Sequence, residues 1–293
     1  MQQPSRTTFF VLYTIICLIW GSTWLVIHLG NSSAMPPFAA AALRFTVASS
    51  LLWGFVATKN ISVPKTKQQW LATLSVGLLS NGASFGIVYA TSLYVPSGLG
   101  AVIFGTMPLF TAAFAHYYIP GDHLTRTRVT GIVIGVLGIA TIFLPQFSQV
   151  KVEGLWAMGL LLIAPIVSAA SAIVTKRGTH DVPAVTVNAI TTAVGALVLG
   201  VIALFTEPID KIDLSWSQLW PILYLAILGT IVTFGIYFKL IKITSAVTMS
   251  YVSVITPAIA VFLGWIILGE KLDAYEISGS ALVLIGTAIS LRM

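Results

Sequence analysis

The sequence predicts an all-α integral membrane protein of ten transmembrane helices, built as two inverted-topology repeats of five. Three observations predict it: an apolar composition, ten apolar runs of spanning length, and an internal repeat. Composition fixes the class. Hydrophobic residues make up 57% of the chain and charged residues 8%, with a mean hydropathy of +0.96. A soluble chain averages about 25% charged residues, so a dissolved domain of this length would lack polar surface.

The ten runs lie at 9–29, 38–58, 70–93, 97–118, 127–144, 154–175, 184–205, 218–240, 246–268 and 275–291. Most approach the ~20 residues that an α-helix needs to cross ~30 Å of hydrocarbon. They show no strict apolar/polar alternation, which argues against a β-barrel. Arg6 precedes the first run as it would in a signal peptide, but the run continues into "WGSTWLVI" with no small-residue cleavage site, so it reads as a helix. The one cysteine, Cys17, excludes an intramolecular disulfide and a zinc cluster.

Orientation follows from the positive-inside rule. An inside N-terminus puts Arg6, Lys59, Lys65, Lys67, Arg126, Arg128, Lys176, Arg177, Lys239, Lys242 and Arg292 on the cytoplasmic side. Only Lys151, Lys211 and Lys271 then fall outside, so both termini are expected inside. The net charge of +6 is thus a topology signal, and no nucleic-acid partner is expected.

The repeat is visible as "SFGIVY" at Ser84 to Tyr89 and "TFGIYF" at Thr233 to Phe238, an offset of 149. The same offset lays Pro108 over Pro257. At an offset of 148, "GDHLTRTRVTGIVIGVLG" from Gly121 lies over "GEKLDAYEISGSALVLIG" from Gly269, matching Gly131 with Gly279 and Gly138 with Gly286. The repeats are expected over 1–148 and 149–293, each with five spans. Five is odd, so the second half enters the membrane inverted, the architecture of many secondary transporters.

"WGSTW" in span 1, "ALRF" in span 2, the mid-span prolines of spans 4 and 9, and "LGEKL…G…LIG" closing the second half resemble the EamA family of the drug/metabolite transporter superfamily. The resemblance covers both halves. It implies a ten-helix exporter in the bacterial inner membrane, with a cavity between the halves and amino acids or related metabolites as substrates. The first half departs from the pattern at "PGDHL", where Asp122 stands for the usual glutamate.

Candidate substrate-binding residues are Arg44, Trp20, Trp24, Asn81, Ser84, Tyr89, Pro108, Asn188, Thr233, Tyr237, Tyr251 and Pro257. Arg44 lies about six residues into span 2, roughly 9 Å below the surface. Its counterpart is Thr191, so the charge is not a repeated element. Arginine stays protonated and can hold a carboxylate by two parallel hydrogen bonds; snorkelling, or capping the carbonyls of a broken helix, are the alternatives. Trp20 and Trp24 share a face across Gly21, as a stacking wall or as packing. Pro108 and Pro257 interrupt their helices, as gates or as shape. Asn81, Ser84, Tyr89, Asn188, Thr233, Tyr237 and Tyr251 must find partners within the membrane, some as interhelical glue. Gly131 and Gly135 form a GxxxG for dimerisation or internal packing, with packing within the half favoured and a monomer expected. His28 and His116 lie near span ends.

All nine acids, Glu270 among them, fall in loops or at helix ends. A proton-coupled pump usually keeps a carboxylate or histidine inside the membrane. Facilitated export is therefore expected, with proton exchange through Glu270 or a histidine, for drugs or other metabolites, as the alternative. No phosphate loop, metal cluster, cofactor motif or nucleophile–base constellation is present, so an enzyme is not expected; a lipid-modifying transferase would need clustered polar groups at one membrane face.

Overall fold

The computed structural model describes residues 5–31, 35–95, 97–122, 124–147, 152–208, 212, 215–268 and 273–291. The side chains at 24–25, 27–31, 97–99, 146–147, 152–153, 263–265, 267–268 and 291 lie outside this description. Each of the ten apolar runs is helical. Span 1 is α1 (Arg6–Asn31) and span 2 is α2 (Pro37–Thr58). Span 3 comprises α3 (Lys67–Val76), a π-helical segment (Gly77–Ser84) and α4 (Phe85–Thr91). Span 4 is split into α5 (Ser97–Phe104) and α6 (Met107–Tyr118), and span 5 is α7 (Arg126–Ile142), followed by the short α8 (Leu144–Phe147).

The second half follows the same order. Span 6 is split into α9 (Val152–Leu161) and α10 (Ile163–Gly178), and span 7 is α11 (Ala184–Thr206). Span 8 comprises α12 (Trp216–Ala226), a second π-helical segment (Ile227–Val232) and α13 (Thr233–Ile243). Span 9 is split into α14 (Ala246–Ser250) and α15 (Val252–Leu268), and span 10 is α16 (Ala274–Leu291). Seven described segments are long and apolar enough to cross a membrane, and Ala246–Phe262 and Ala274–Ser290 are shorter apolar helices. Large apolar side chains such as Phe205, 86% exposed, cover the outside.

Local chemistry sets the helix ends. Thr66 and Gln69 form a capping box at α3, and the hydroxyls of Thr125 and Ser245 accept from Arg128 N and Thr248 N at the starts of α7 and α14. The carboxylate of Glu207 accepts from Phe38 N and Ala39 N, both at 2.8 Å. It thus neutralises the positive end of α2 from the far end of α11.

Two antiparallel pairs form the frame. Along α2 and α11, Ala41 and Phe45 cluster with Leu199, while Leu52 and Val56 cluster with Ala189. Along α7 and α16, Gly131 meets Gly286 and Gly138 meets Gly279. A Cβ at Gly138 would lie 2.7 Å from the Gly279 carbonyl oxygen, and one at Gly286 would lie 2.5 Å from that of Gly131. Backbones touch there because neither helix has a side chain in the way. Gly135 faces the same crossing, its amide 2.5 Å from a Cβ at Gly286, so the GxxxG packs against the second half and not, as expected, within its own.

Gly138→Ala is therefore expected to cost about 1–3 kcal/mol by overpacking. Gly54→Ala, where a Cβ meets nothing within 4 Å, is the control. Melting of both variants in detergent reads the difference, and equal melting temperatures would show that the crossing tolerates a methyl group.

Candidate functional site

The two π-helical segments are equivalent in the repeat. The offset of 149 carries Ile227–Val232 onto Leu78–Ala83, inside Gly77–Ser84. A π turn shifts the i→i−4 ladder and leaves carbonyls facing sideways, and in hydrocarbon these need partners from neighbouring helices.

Around Ile227–Val232 those partners come from three helices. Arg44 of α2 donates from Nε to Thr230 Oγ1 at 2.9 Å and from Nη2 to the Gly229 carbonyl at 3.1 Å. Trp20 of α1 donates from its indole to the same carbonyl at 3.2 Å. Asn188 of α11 donates to the carbonyls of Thr230 and Ile231 at 3.3 and 3.2 Å. Thr230 closes the set by donating to Leu225 O at 2.8 Å. At the first π segment the side-chain bonds are neutral: Ser171 donates to Val76 O, just before the segment, at 3.4 Å, and Ser84, its last residue, donates outward to Ala164 O of α10 at 3.1 Å. Thr191, the counterpart of Arg44, lies there with its Cα 3.0 Å from a Cβ at Gly77.

Beside these segments is a cavity of about 150 Å³, lined by residues of both halves. Its walls are mostly apolar and aromatic, including Trp20, Phe85, Phe104, Phe234 and Tyr237. Phe85 and Phe234 lie 6.2 Å apart between ring centroids, and Trp20 stands edge-on to Phe234 at 5.3 Å. Arg44 lines the cavity at 2% exposure, with its guanidinium carbon 5.2 Å from the Phe85 ring and 5.3 Å from the Phe45 ring. Its Nε–Nη2 edge is held by span 8, so Nη1 and the remaining Nη2 hydrogen are the donors left for a ligand. No acid lines the cavity among the described residues. The described acids act elsewhere: Asp122 pairs with Arg128, Asp181 with His180, Glu207 caps α2, and Asp273 and Glu276 cap each other's backbone at α16.

The sequence candidates separate into two groups. Arg44, Trp20, Ser84, Tyr237 and Pro257 line the cavity. Asn81, Tyr89, Pro108, Asn188, Thr233 and Tyr251 are not in its lining. Tyr89 packs with Ala41, Phe45 and Leu199, and the Tyr251 hydroxyl bonds that of Ser290. Asn188 braces the π segment, and the side-chain oxygens of Asn81, Asn188 and Thr233 are buried without a partner. The Trp24 and His28 side chains and Glu270 lie outside the described residues. His116 is exposed at the end of α6.

Pro108 sits in the first turn of α6, where a missing N–H costs no helix bond; the break in span 4 is at Gly105–Thr106, where a Cβ on Gly105 would meet Ile139 at 2.3 Å. Pro257 lies inside α15, and the break in span 9 is at Tyr251. Sequence reasoning missed the π segments, Gly229, Thr230 and the wall hydroxyls. The available signal was the small polar stretch "GLLSNGAS" in the middle of an apolar run.

Asn188→Leu would leave two carbonyls unpaired, a cost of about 1–3 kcal/mol each. Trp20→Phe and Arg44→Ala share the Gly229 acceptor, so their effects on melting temperature should be non-additive. Strict additivity in a double-mutant cycle would show that the shared carbonyl does not couple them.

The EamA-like transporter family model matches the chain twice, over residues 8–144 and 155–292. The inner membrane transporter YedA of Escherichia coli strain K12 is 32% identical over 278 residues, covering 93% of this chain and 86% of YedA. The transporter YoaV of Bacillus subtilis strain 168 is 24% identical over 273 residues, covering 92% of each chain. A solved crystal structure, 18% identical, superposes with a TM-score of 0.82 over 98% of this chain and 97% of its own, and shares the fold. The chain belongs to the EamA-like transporter family, as a multi-pass membrane transporter of the drug/metabolite type.

Proposed function

We propose that the chain is a secondary transporter that exports small amphipathic carboxylates, amino acids above all, through the cavity by alternating access. In this reading it works as a monomer in a bacterial inner membrane, with ten helices, both termini inside, and inverted repeats over 1–148 and 149–293. The double family match, the repeat-equivalent π segments and the antiparallel Gly131–Gly286 and Gly138–Gly279 contacts support that architecture. The similarity to YedA, an inner membrane transporter, supports the location. The buried GxxxG supports a monomer.

One observation carries the substrate class: Arg44 is a buried cation in an apolar cavity with no acid among the described lining. Uncompensated charge in a low-dielectric site favours an anionic guest. A single arginine suits a monocarboxylate, whose two oxygens match the free Nη donors. The aromatic walls suit an apolar side chain. With no carboxylate beside Arg44 among the described residues to take up a proton, transport is expected to follow the substrate gradient.

The test is uptake of labelled amino acids into proteoliposomes, with and without an imposed pH gradient. Saturable uptake that ignores the gradient is expected; uptake driven by the gradient would replace facilitation with proton exchange, and no amino-acid uptake would overturn the substrate class. Arg44→Ala also unpins the π segment, so it mixes folding with binding. Arg44→Gln keeps a donor for Gly229 without the charge, and should raise KM for carboxylate substrates at least about tenfold. An unchanged KM would remove the anchor.

A further inference from the structure

We propose that the Ser84–Ser168 hydroxyl pair is an acceptor subsite for the substrate's ammonium group, so that the cavity recognises a zwitterion without an acidic side chain. The proposal rests on the reading of Arg44 as the carboxylate anchor. Ser84 is 1% exposed, and both serines line the cavity.

Hydrogen accounting fixes the polarity of the pair. Ser84 Oγ lies 3.1 Å from the Ala164 carbonyl oxygen, which can only accept, and 2.7 Å from Ser168 Oγ. A hydroxyl has one hydrogen and two lone pairs. The Ser84 hydrogen goes to Ala164, so Ser168 must donate to Ser84. Ser168 Oγ therefore meets the cavity with lone pairs alone, and a ligand there must bring the hydrogen.

Three further hydroxyls of the lining have the same sense. Thr23 donates to Trp20 O at 2.7 Å, Ser250 to Val247 O at 2.7 Å, and Ser253 to Ser250 O at 2.8 Å. Arg44 is a donor-only group; these hydroxyls face the ligand as acceptors. Phe85, next to Ser84 in the chain, has its ring 5.2 Å from the Arg44 guanidinium carbon, and Arg44, Ser84, Phe85 and Ser168 line the same cavity. A guest with one carboxylate and one ammonium matches both poles. A second anionic group at Ser168 would face oxygen lone pairs, so dicarboxylates and phosphate esters fit this subsite worse than a zwitterion does.

The test compares phenylalanine with its des-amino analogue, 3-phenylpropionate, in proteoliposomes. Both have the carboxylate and the ring, and only phenylalanine has the ammonium. Ser168→Ala should raise KM for phenylalanine about tenfold, the loss of one charged hydrogen bond, and leave inhibition by 3-phenylpropionate unchanged. Ser168→Thr, which keeps the hydroxyl, should restore the wild-type KM. Ser168→Cys, of similar size with a weak acceptor, should behave as the alanine variant and serves if that one folds poorly. Equal losses for both compounds, or no loss for either, would overturn the subsite. Wild-type transport of 3-phenylpropionate but not phenylalanine would overturn it while leaving the carboxylate anchor standing. Failure of the wild type to handle either compound would remove the anchor reading and this proposal together.

Discussion

The structure depends on where the carbonyls of a broken membrane helix find their hydrogen bonds. Water is absent at that depth, and an unsatisfied backbone group in lipid costs several kcal/mol. The π-helical segment Ile227–Val232 is kept because Arg44, Trp20 and Asn188 reach it from three other helices. Each is held in turn by the packing that positions its own helix. Glu207 fixes the start of α2, and α2 packs along α11, the two helices that bring Arg44 and Asn188 to the same segment.

This arrangement makes one residue serve two ends. The guanidinium edge that holds the π segment is the Nε–Nη2 edge, and Arg44 lines a cavity with no acid in its described lining. A carboxylate guest would therefore meet a cation already held in place by the protein, and little ordering is lost on binding. It would also share that cation with span 8, so occupancy of the cavity and the state of the broken helix are linked through Arg44. The other π segment, with Thr191 where the repeat would place a second arginine, has no such charge. The sequence repeat is thus accompanied by an electrostatic asymmetry.

Much of this was legible in the residues. Each of the ten apolar runs marked a helical segment, since length and hydropathy leave few alternatives in a bilayer. The spaced glycines of spans 5 and 10 marked a close approach of helices, because a residue without a side chain lets two backbones touch. They did not mark the partner: the expected packing within a half proved to be a crossing between spans 5 and 10. Arg44 stood out as a charge inside an apolar run, and of the two alternatives to an anchor, the structure shows the capping of a broken helix. The π segments were not legible, because they follow from neighbours that exist only in the fold; the prolines drew attention instead, and Pro108 proved to start a helix. Tyr89 and Tyr251 have the same residue type as Tyr237, yet they pack elsewhere. Residue type does not say which side of a helix faces the cavity when all sides are apolar.

The most direct measurement is the dissociation constant of one amino acid and of its carboxamide for the purified wild-type protein in detergent. The two differ in the carboxylate alone. If a carboxylate sits on Arg44, the acid binds at least about tenfold tighter, a difference of about 1.4 kcal/mol or more. Equal affinities would contradict that account and leave Arg44 as a brace for span 8 only.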